Sequence, residues 1–229
     1  MSIDAQGVMR AFVKAADARR ERRTEPVRKP TIAISRCTGS GGDAIACAVA
    51  KRLGLNIYDG EILDAVAEQA KVDRGLMSSL NEMAETSRDA WLYSALFGKS
   101  VSRDDYLYHL ATTVRGLHRL GGVIMGRGAN IILEGRDVLR VRITGTVEAC
   151  ARRVAEEDGI DLKAAKHKVR ESKRKRGRFT WEMFHRRIND PDNFDLVINT
   201  DRLTETAVAV DMIIAMVRAL DFDRPVVTD

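Results

Sequence analysis

The spacing of apolar residues changes several times along the chain, and each change marks an element. Thr31-Ile-Ala-Ile-Ser35 is a short apolar, β-branched run, the pattern of a strand covered on both faces of a parallel sheet. From Asp43 to Leu53 the apolar residues Ile45, Val49 and Leu53 recur at helical spacing, and Gly54 follows as a stop. Leu55 to Tyr58 reads as a second strand, and a helix follows from about Gly60 to Ala70. Gly122 to Gly126 and Val138 to Thr144 are apolar β-type runs. The segment from Thr146 to Glu157 reads as a helix with Thr146 as its N-cap. Asp161 to Arg176 reads as a basic helix that Gly177 breaks, leaving Arg178 in a mobile loop. Leu196 to Asn199 is a last strand and Thr204 to Leu220 a last amphipathic helix.

Two stretches fall outside this alternation. Residues 72–120 carry no strand pattern. Helical spacing recurs around 78–90 and 105–120, with an apolar cluster at Trp91, Leu92, Tyr93, Leu96 and Phe97 between them, which predicts a helical insertion over the site. Residues 1–29 read as a basic arm, in which Val8, Phe12, Val13 and Ala16 form one side of a short helix and a connector with Arg19–Arg23, Pro26 and Pro30 follows. The remainder, 30–229, is one domain. Strands alternating with helices imply βαβ crossovers, hence an α/β fold with a mainly parallel sheet between helical layers. Ligands in such folds bind beyond the carboxyl ends of the strands, so the loops after Ser35, Tyr58, Met125 and Thr144 are expected on one rim.

Composition narrows the picture. A chain of 229 residues with 45% hydrophobic and 31% charged residues forms a packed core. It has no run of about 18 apolar residues, which argues against a membrane span, and its N-terminus lacks the pattern of a secretory signal. The three cysteines, Cys37, Cys47 and Cys150, show no C-x-x-C spacing, which points to a reducing cytoplasm, and the four histidines do not pair with them at zinc-ligand spacing. The net charge of +5 is unevenly spread, because the 163–187 segment is dense in Lys and Arg with only Glu171 and Glu182 opposing. Such a stripe either faces an anion or is simply solvated.

The chemistry concentrates at the turn after the first strand. Ser35-Arg-Cys-Thr-Gly-Ser-Gly-Gly-Asp43 joins a strand end to a helix start. Glycines there let backbone N–H groups close around a phosphate, and the helix N-terminus adds roughly half a positive charge. The loop departs from the standard Walker pattern at three positions: Arg36 stands at the opening glycine, Gly42 at the lysine and Asp43 at the Ser/Thr that holds magnesium. A tight strand–helix turn without a ligand is the alternative reading.

From these pieces the chain resembles the cytidylate kinase-like family, a branch of the nucleoside monophosphate kinases within the P-loop kinases. The resemblance rests on Ile34-Ser-Arg-Cys-Thr-Gly-Ser-Gly-Gly42, Ile57-Tyr-Asp-Gly-Glu-Ile62, Val123-Ile-Met-Gly-Arg-Gly-Ala-Asn130, Asp190-Pro191 and Phe194-Asp-Leu-Val-Ile-Asn-Thr-Asp201, in that order over residues 31–218. It implies a three-layer P-loop kinase fold and transfer of the ATP γ-phosphoryl, with Mg2+, to a nucleotide substrate such as CMP or dCMP. It also implies a phosphate cradle of Arg36, Gly39, Ser40, Gly41, Gly42 and Asp43, an acceptor-phosphate arginine at Arg127, and a lid over 163–187 whose Arg170, Arg174 and Arg178 neutralise the transferring group. Asp59 either orients the acceptor or holds magnesium through water, or it caps the following helix. Glu61 and Asp64 fall on the exposed side of that helix and receive no chemistry. The other reading of function is a nucleotide-binding or regulatory protein that keeps the fold without the chemistry. A nucleic-acid partner is disfavoured, since no recognised binding module is present. The arm and the apolar 91–97 cluster point to a homodimer.

Overall fold

The computed structural model describes residues 6–11, 29–72 and 103–220. Five parallel strands form one sheet in the order β2-β3-β1-β4-β5. They are β1 (Thr31–Arg36), β2 (Ile57–Tyr58), β3 (Gly122–Met125), β4 (Leu139–Thr144) and β5 (Leu196–Asn199). The helices are α1 (6–11), α2 (Gly42–Leu53), α3 (Gly60–Val72), α4 (Arg103–Leu120), α5 (Ala129–Ile132), α6 (Val147–Asp158), α7 (Leu162–Phe184) and α8 (Thr206–Ala219).

Alternation along the central strands sets the layers. Ala33 and Ile124 point to one face, where they meet Leu63 and Val66 of α3, Leu110, Val114 and Leu117 of α4, and Val8 of α1. Ile32, Ile34, Val123 and Met125 point to the other face, against Ile45 and Val49 of α2 and Val210 and Ile213 of α8. The result is a three-layer α/β sandwich. The central strands β1, β3 and β4 are covered on both sides, which is why they read as continuous apolar runs rather than alternating ones, whereas the edge strand β5 leaves Val197 half exposed. With all strands parallel, the segments after β1, β2, β3 and β4 leave the sheet at the same edge, as the pattern of elements predicts.

Three expectations change. α7 is one helix of 23 residues that passes through Gly177, so Arg178 lies within a helix and not in a loop. An interior glycine costs a helix about 1 kcal/mol, and the packing of Arg176, Phe179, Thr180 and Phe184 on either side of it outweighs that penalty. α4 is a core helix and not only a cover, as the full burial of Leu110, Val114 and Leu117 shows. The arm is not wholly an appendage, because Val8 is 1% exposed within the main core. The rest of the arm helix, the helical pattern around 78–90 and the Trp91–Phe97 cluster lie outside the described residues.

Candidate functional site

In the turn from β1 into α2 the carbonyls of Cys37, Gly39, Ser40 and Gly41 are occupied; of its N–H groups, Cys37 donates to the Ile143 carbonyl and Ser40 to the Cys37 carbonyl. The Cys37 carbonyl accepts from Ser40 Oγ at 2.7 Å, the Gly39 carbonyl from Arg153 Nη1 at 3.1 Å, and the Ser40 carbonyl from Thr200 Oγ1 at 3.0 Å. The Gly41 carbonyl takes the first helical bond, from the Ile45 N–H. Among the described residues, no acceptor meets the N–H groups of Gly39, Gly41, Gly42 or Asp43, and no side chain caps α2. Gly39 has to be glycine. Its φ is +75°, and an added Cβ would lie 2.4 Å from the Cys150 carbonyl oxygen. At Gly41 an added Cβ would meet nothing within 4 Å, so the loop opens outward there.

Helix α7 lies across this loop. Its first half packs on α6 through Ala165 and Val169. Further along, Ser172 Oγ and Thr38 Oγ1 share a hydrogen bond of 2.7 Å, and Arg176 Nη1 donates to the Arg36 carbonyl. Beneath the helix is a pocket lined by Arg36, Cys37, Thr38, Arg142, Lys173 and Arg176 among others, and no Asp or Glu lines it. Arg36 is compensated by Asp43, with Nε to Oδ1 at 2.9 Å. Arg142, on β4, is 3% exposed and has only neutral partners: Ser35 Oγ at 2.7 Å, Asn189 Oδ1 at 3.0 Å and Cys37 Sγ at 3.3 Å. Its Nε has no partner. Burial pushes the Arg142 guanidinium below the ordinary arginine value. Arg176 is lowered by burial first and then by the like charge of Arg36.

The other half of the rim centres on Arg127, in the turn after β3. Its backbone sits at φ +50°, a left-handed conformation uncommon for a non-glycine residue and frequent at functional sites. The guanidinium lies 5.6 Å from the Phe179 ring centroid. It is also forked onto Asp64: Nε donates to Oδ1 at 2.7 Å and Nη2 to Oδ2. Tyr106 Oη donates to the same carboxylate at 2.8 Å. The hydrogen bond to Asp64 raises Arg127 above the ordinary value. The end of α7 closes over this turn. Gly128 sits at φ +71°, and a Cβ there would come 2.2 Å from the Phe184 ring. Arg36 lies between the two halves, since a Cβ on Gly126 would be 3.1 Å from its Nη1.

The anticipated residues are thus only partly brought together. Arg36, Gly39, Ser40, Gly41, Gly42 and Asp43 form one loop, although the Ser40 side chain is turned inward to the Cys37 carbonyl. Asp59 caps α3, accepting from the N–H groups of Glu61 and Ile62 at 3.0 and 2.9 Å. Arg170, Arg174 and Arg178 do share a face of α7, but that face is exposed and turned from the pocket. The residues on the pocket side are Val169, Lys173 and Arg176, offset from the arginine repeat by about a quarter-turn or more. Asp64, which helical spacing leaves without chemistry, is a partner of Arg127. Arg142 escapes the sequence pattern because it sits inside the apolar run of β4, where alternation alone does not separate a pocket-facing residue from a solvent-facing one. Among the described residues, no group of three or more His, Cys, Asp or Glu side chains is placed to hold a metal, and no helix is long and apolar enough to cross a membrane.

Comparison with known proteins bears on the fold and the family. No curated protein matches the chain. Among solved structures it is similar to an uncharacterized protein from Eubacterium ventriosum ATCC 27560, at 22% identity and a TM-score of 0.63, covering 83% of this chain and 99% of that one. That likeness shows the fold. Weaker similarities include a shikimate kinase from Bacteroides thetaiotaomicron, at 14% identity and a TM-score of 0.45 over 82% of this chain and 98% of that one. A gluconokinase from Sinorhizobium meliloti 1021 is similar at 13% identity and a TM-score of 0.47, over 85% and 95% of the two chains. The model of the cytidylate kinase-like family matches residues 31–202, and the chain belongs to that family.

Proposed function

We propose that the protein is a nucleotide-dependent phosphotransferase that moves the γ-phosphoryl of ATP to a pyrimidine nucleoside monophosphate such as CMP or dCMP. The observation that carries this reading is the loop of free N–H groups at the uncapped start of α2. The first N–H groups of a helix have no partner within it and are met by a cap, water or a ligand, and phosphate oxygens on a helix N-terminus are suited to them. Gly39, Gly41, Gly42 and Asp43 would hold the donor phosphates through backbone N–H groups. Arg127 would hold the acceptor phosphate. Lys173 and Arg176, which line the pocket where Arg170, Arg174 and Arg178 do not, would neutralise charge on the transferring group. Magnesium, which neutralises the β- and γ-phosphates when bound, would keep mostly phosphate and water ligands, with Asp43 the carboxylate on the loop nearest to it in sequence. The reaction needs no side-chain nucleophile, because positioning and charge neutralisation provide most of the catalysis.

A second reading has its own observation. The Arg127 fork is occupied by Asp64, which favours a protein that binds nucleotide without turning it over. One assay separates the two: ATP, Mg2+ and a panel of nucleoside monophosphates, with ADP release coupled to a spectrophotometric readout. Acceptor-dependent ADP release with a pyrimidine monophosphate supports the kinase. Thermal stabilisation by ATP without turnover on any acceptor sinks it and leaves the binding protein.

A further inference from the structure

Cys37 and Cys150 are buried nucleophiles that phosphoryl transfer does not use. Cys37 is 9% exposed and Cys150 1%, and both line the space beneath α7 together with Arg142. They come from segments that touch. Gly39, two residues after Cys37, is so close to α6 that an added Cβ would lie 2.4 Å from the Cys150 carbonyl oxygen. Their sulfurs flank the end of β4: Thr144 Oγ1 lies 3.5 Å from Cys37 Sγ, and a Cβ on the adjacent Gly145 would lie 2.9 Å from Cys150 Sγ. The backbone of Cys37 is held on both sides, its N–H on the Ile143 carbonyl and its carbonyl by Ser40, so the place of its sulfur is set by the fold.

Arg142 makes the two sulfurs unequal. It is 3% exposed, its Nε has no partner, and its Nη2 donates to Cys37 Sγ at 3.3 Å. A buried guanidinium without a counter-charge costs several kcal/mol even after relaxation, and no Asp or Glu lines the pocket. The anionic form of Cys37 is a counter-charge the pocket can generate for itself, and the thiolate is the nucleophilic form of cysteine. Cys150 differs: burial pushes its thiol up, and the neighbouring Cys37 adds to that effect. The enclosed space between these groups is about 10 Å³, room for one molecule of the size of water.

We infer that Cys37 and Cys150 are a dithiol that hydrogen peroxide oxidises to a disulfide, with Arg142 as the counter-ion of the attacking sulfur. The Cys37 sulfur attacks one peroxide oxygen. An S–O bond forms, the O–O bond breaks, and the departing hydroxide leaves as water with the proton of the Cys37 thiol. Cys37 is then a sulfenic acid, oxidised by the two electrons that reduce the peroxide. The Cys150 sulfur attacks the Cys37 sulfur, the S–S bond forms, and the S–O bond breaks to release a second water with the proton of the Cys150 thiol. A thiol reductant returns both cysteines to the starting state. The disulfide would tie the loop after β1 to the first turn of α6. This chemistry is independent of the proposed phosphoryl transfer and of nucleotide binding.

The test treats the full-length protein with hydrogen peroxide, blocks the remaining thiols by alkylation and digests without reduction before mass spectrometry. The expected product is a peptide pair joining Cys37 to Cys150, with the intact chain lighter by two hydrogens and the change reversed by dithiothreitol. Cys47, which is exposed, is the internal reference and should stay free while the pair is consumed. In Cys150→Ser, dimedone should trap a sulfenic acid on Cys37. In Cys37→Ser, Cys150 should take up no dimedone. Arg142→Gln should slow the cross-link about fivefold or more. Tert-butyl hydroperoxide, too bulky for the enclosed space, should act about tenfold or more slowly than hydrogen peroxide. Three outcomes on the wild type overturn the inference: both cysteines still free after treatment, a dimedone adduct that persists on Cys37 without a cross-link, or oxidation of Cys47 ahead of the pair. An unchanged rate in Arg142→Gln removes the arginine from the step. Because the cross-link is read on the wild type, the inference stays open to failure even if Arg142→Gln does not fold.

Discussion

Arg142 and Arg127 belong to the two strands that flank β1, and they are handled in opposite ways. Arg142, on β4, is enclosed, meets only neutral groups and is made less basic by its burial. Arg127, just beyond β3, is 37% exposed on its side chain, is forked onto Asp64 and is made more basic by that hydrogen bond. The β4 half of the rim therefore holds a guanidinium that only neutral groups meet, while the β3 half satisfies its own charge internally. The first arrangement carries the cost of a buried charge with no counter-charge. The second is comfortable without a ligand and has to be opened. An exposed or half-exposed ion pair contributes about 0–1 kcal/mol, so a dianionic acceptor phosphate can displace Asp64 at modest cost. Arg36 lies between the halves, with its Nε on Asp43 and its Nη1 beside Gly126.

The largest effect on the β3 half is expected from Arg127→Ala. A charged hydrogen bond to phosphate contributes roughly 1.5–3 kcal/mol, so kcat/KM for the acceptor should fall by at least about tenfold while ATP affinity stays near the wild type. Unchanged acceptor kinetics would remove Arg127 from the site. A smaller effect of opposite sign is expected from Asp64→Asn. If the carboxylate competes with the acceptor for the fork, neutralising it should lower the acceptor KM about two- to fivefold with kcat retained. A rise in KM would mean that Asp64 positions Arg127 for catalysis, and the contrast between the two halves would fail at that point.

The order of strands and helices was readable because the central strands are covered on both faces and each surface helix on one, so burial imposes distinct spacings. The place of the loop was readable for a different reason: small residues between an apolar run and a helical spacing mark a tight strand–helix turn, and Gly39 and Gly41 take positive φ there. The phase of α7 was not. Arg170, Arg174 and Arg178 repeat every four residues, and such a repeat fixes a shared face without saying which way it points. The direction is set by Ala165, Val169 and Thr180, which are buried and too sparse in a basic segment to stand out. Gly177 misled because helix propensity is a weak prior against tertiary packing. Asp64 was passed over because its partner is 63 positions away, and helical spacing carries no information at that distance.

The last substitution tests whether the two halves move separately. α7 touches the β4 half through the Ser172–Thr38 hydroxyl pair and the Arg176 bond to the Arg36 carbonyl, and the β3 half through Phe179 and Phe184. If nucleotide entry requires the helix to lift from the loop, Ser172→Ala removes one tie contributing about 0.5–1.5 kcal/mol. The association rate of a fluorescent ATP analogue, followed by stopped flow, should then rise about two- to tenfold, whereas the acceptor KM, governed by the far end of the helix, should change by less than about twofold. Thr38→Val should behave alike, because it removes the other half of the same bond. A slower association would show that the hydroxyl pair shapes the loop rather than latching it. Parallel changes in ATP entry and acceptor KM would show instead that α7 swings as one rigid body, coupling the half around Arg142 to the half around Arg127.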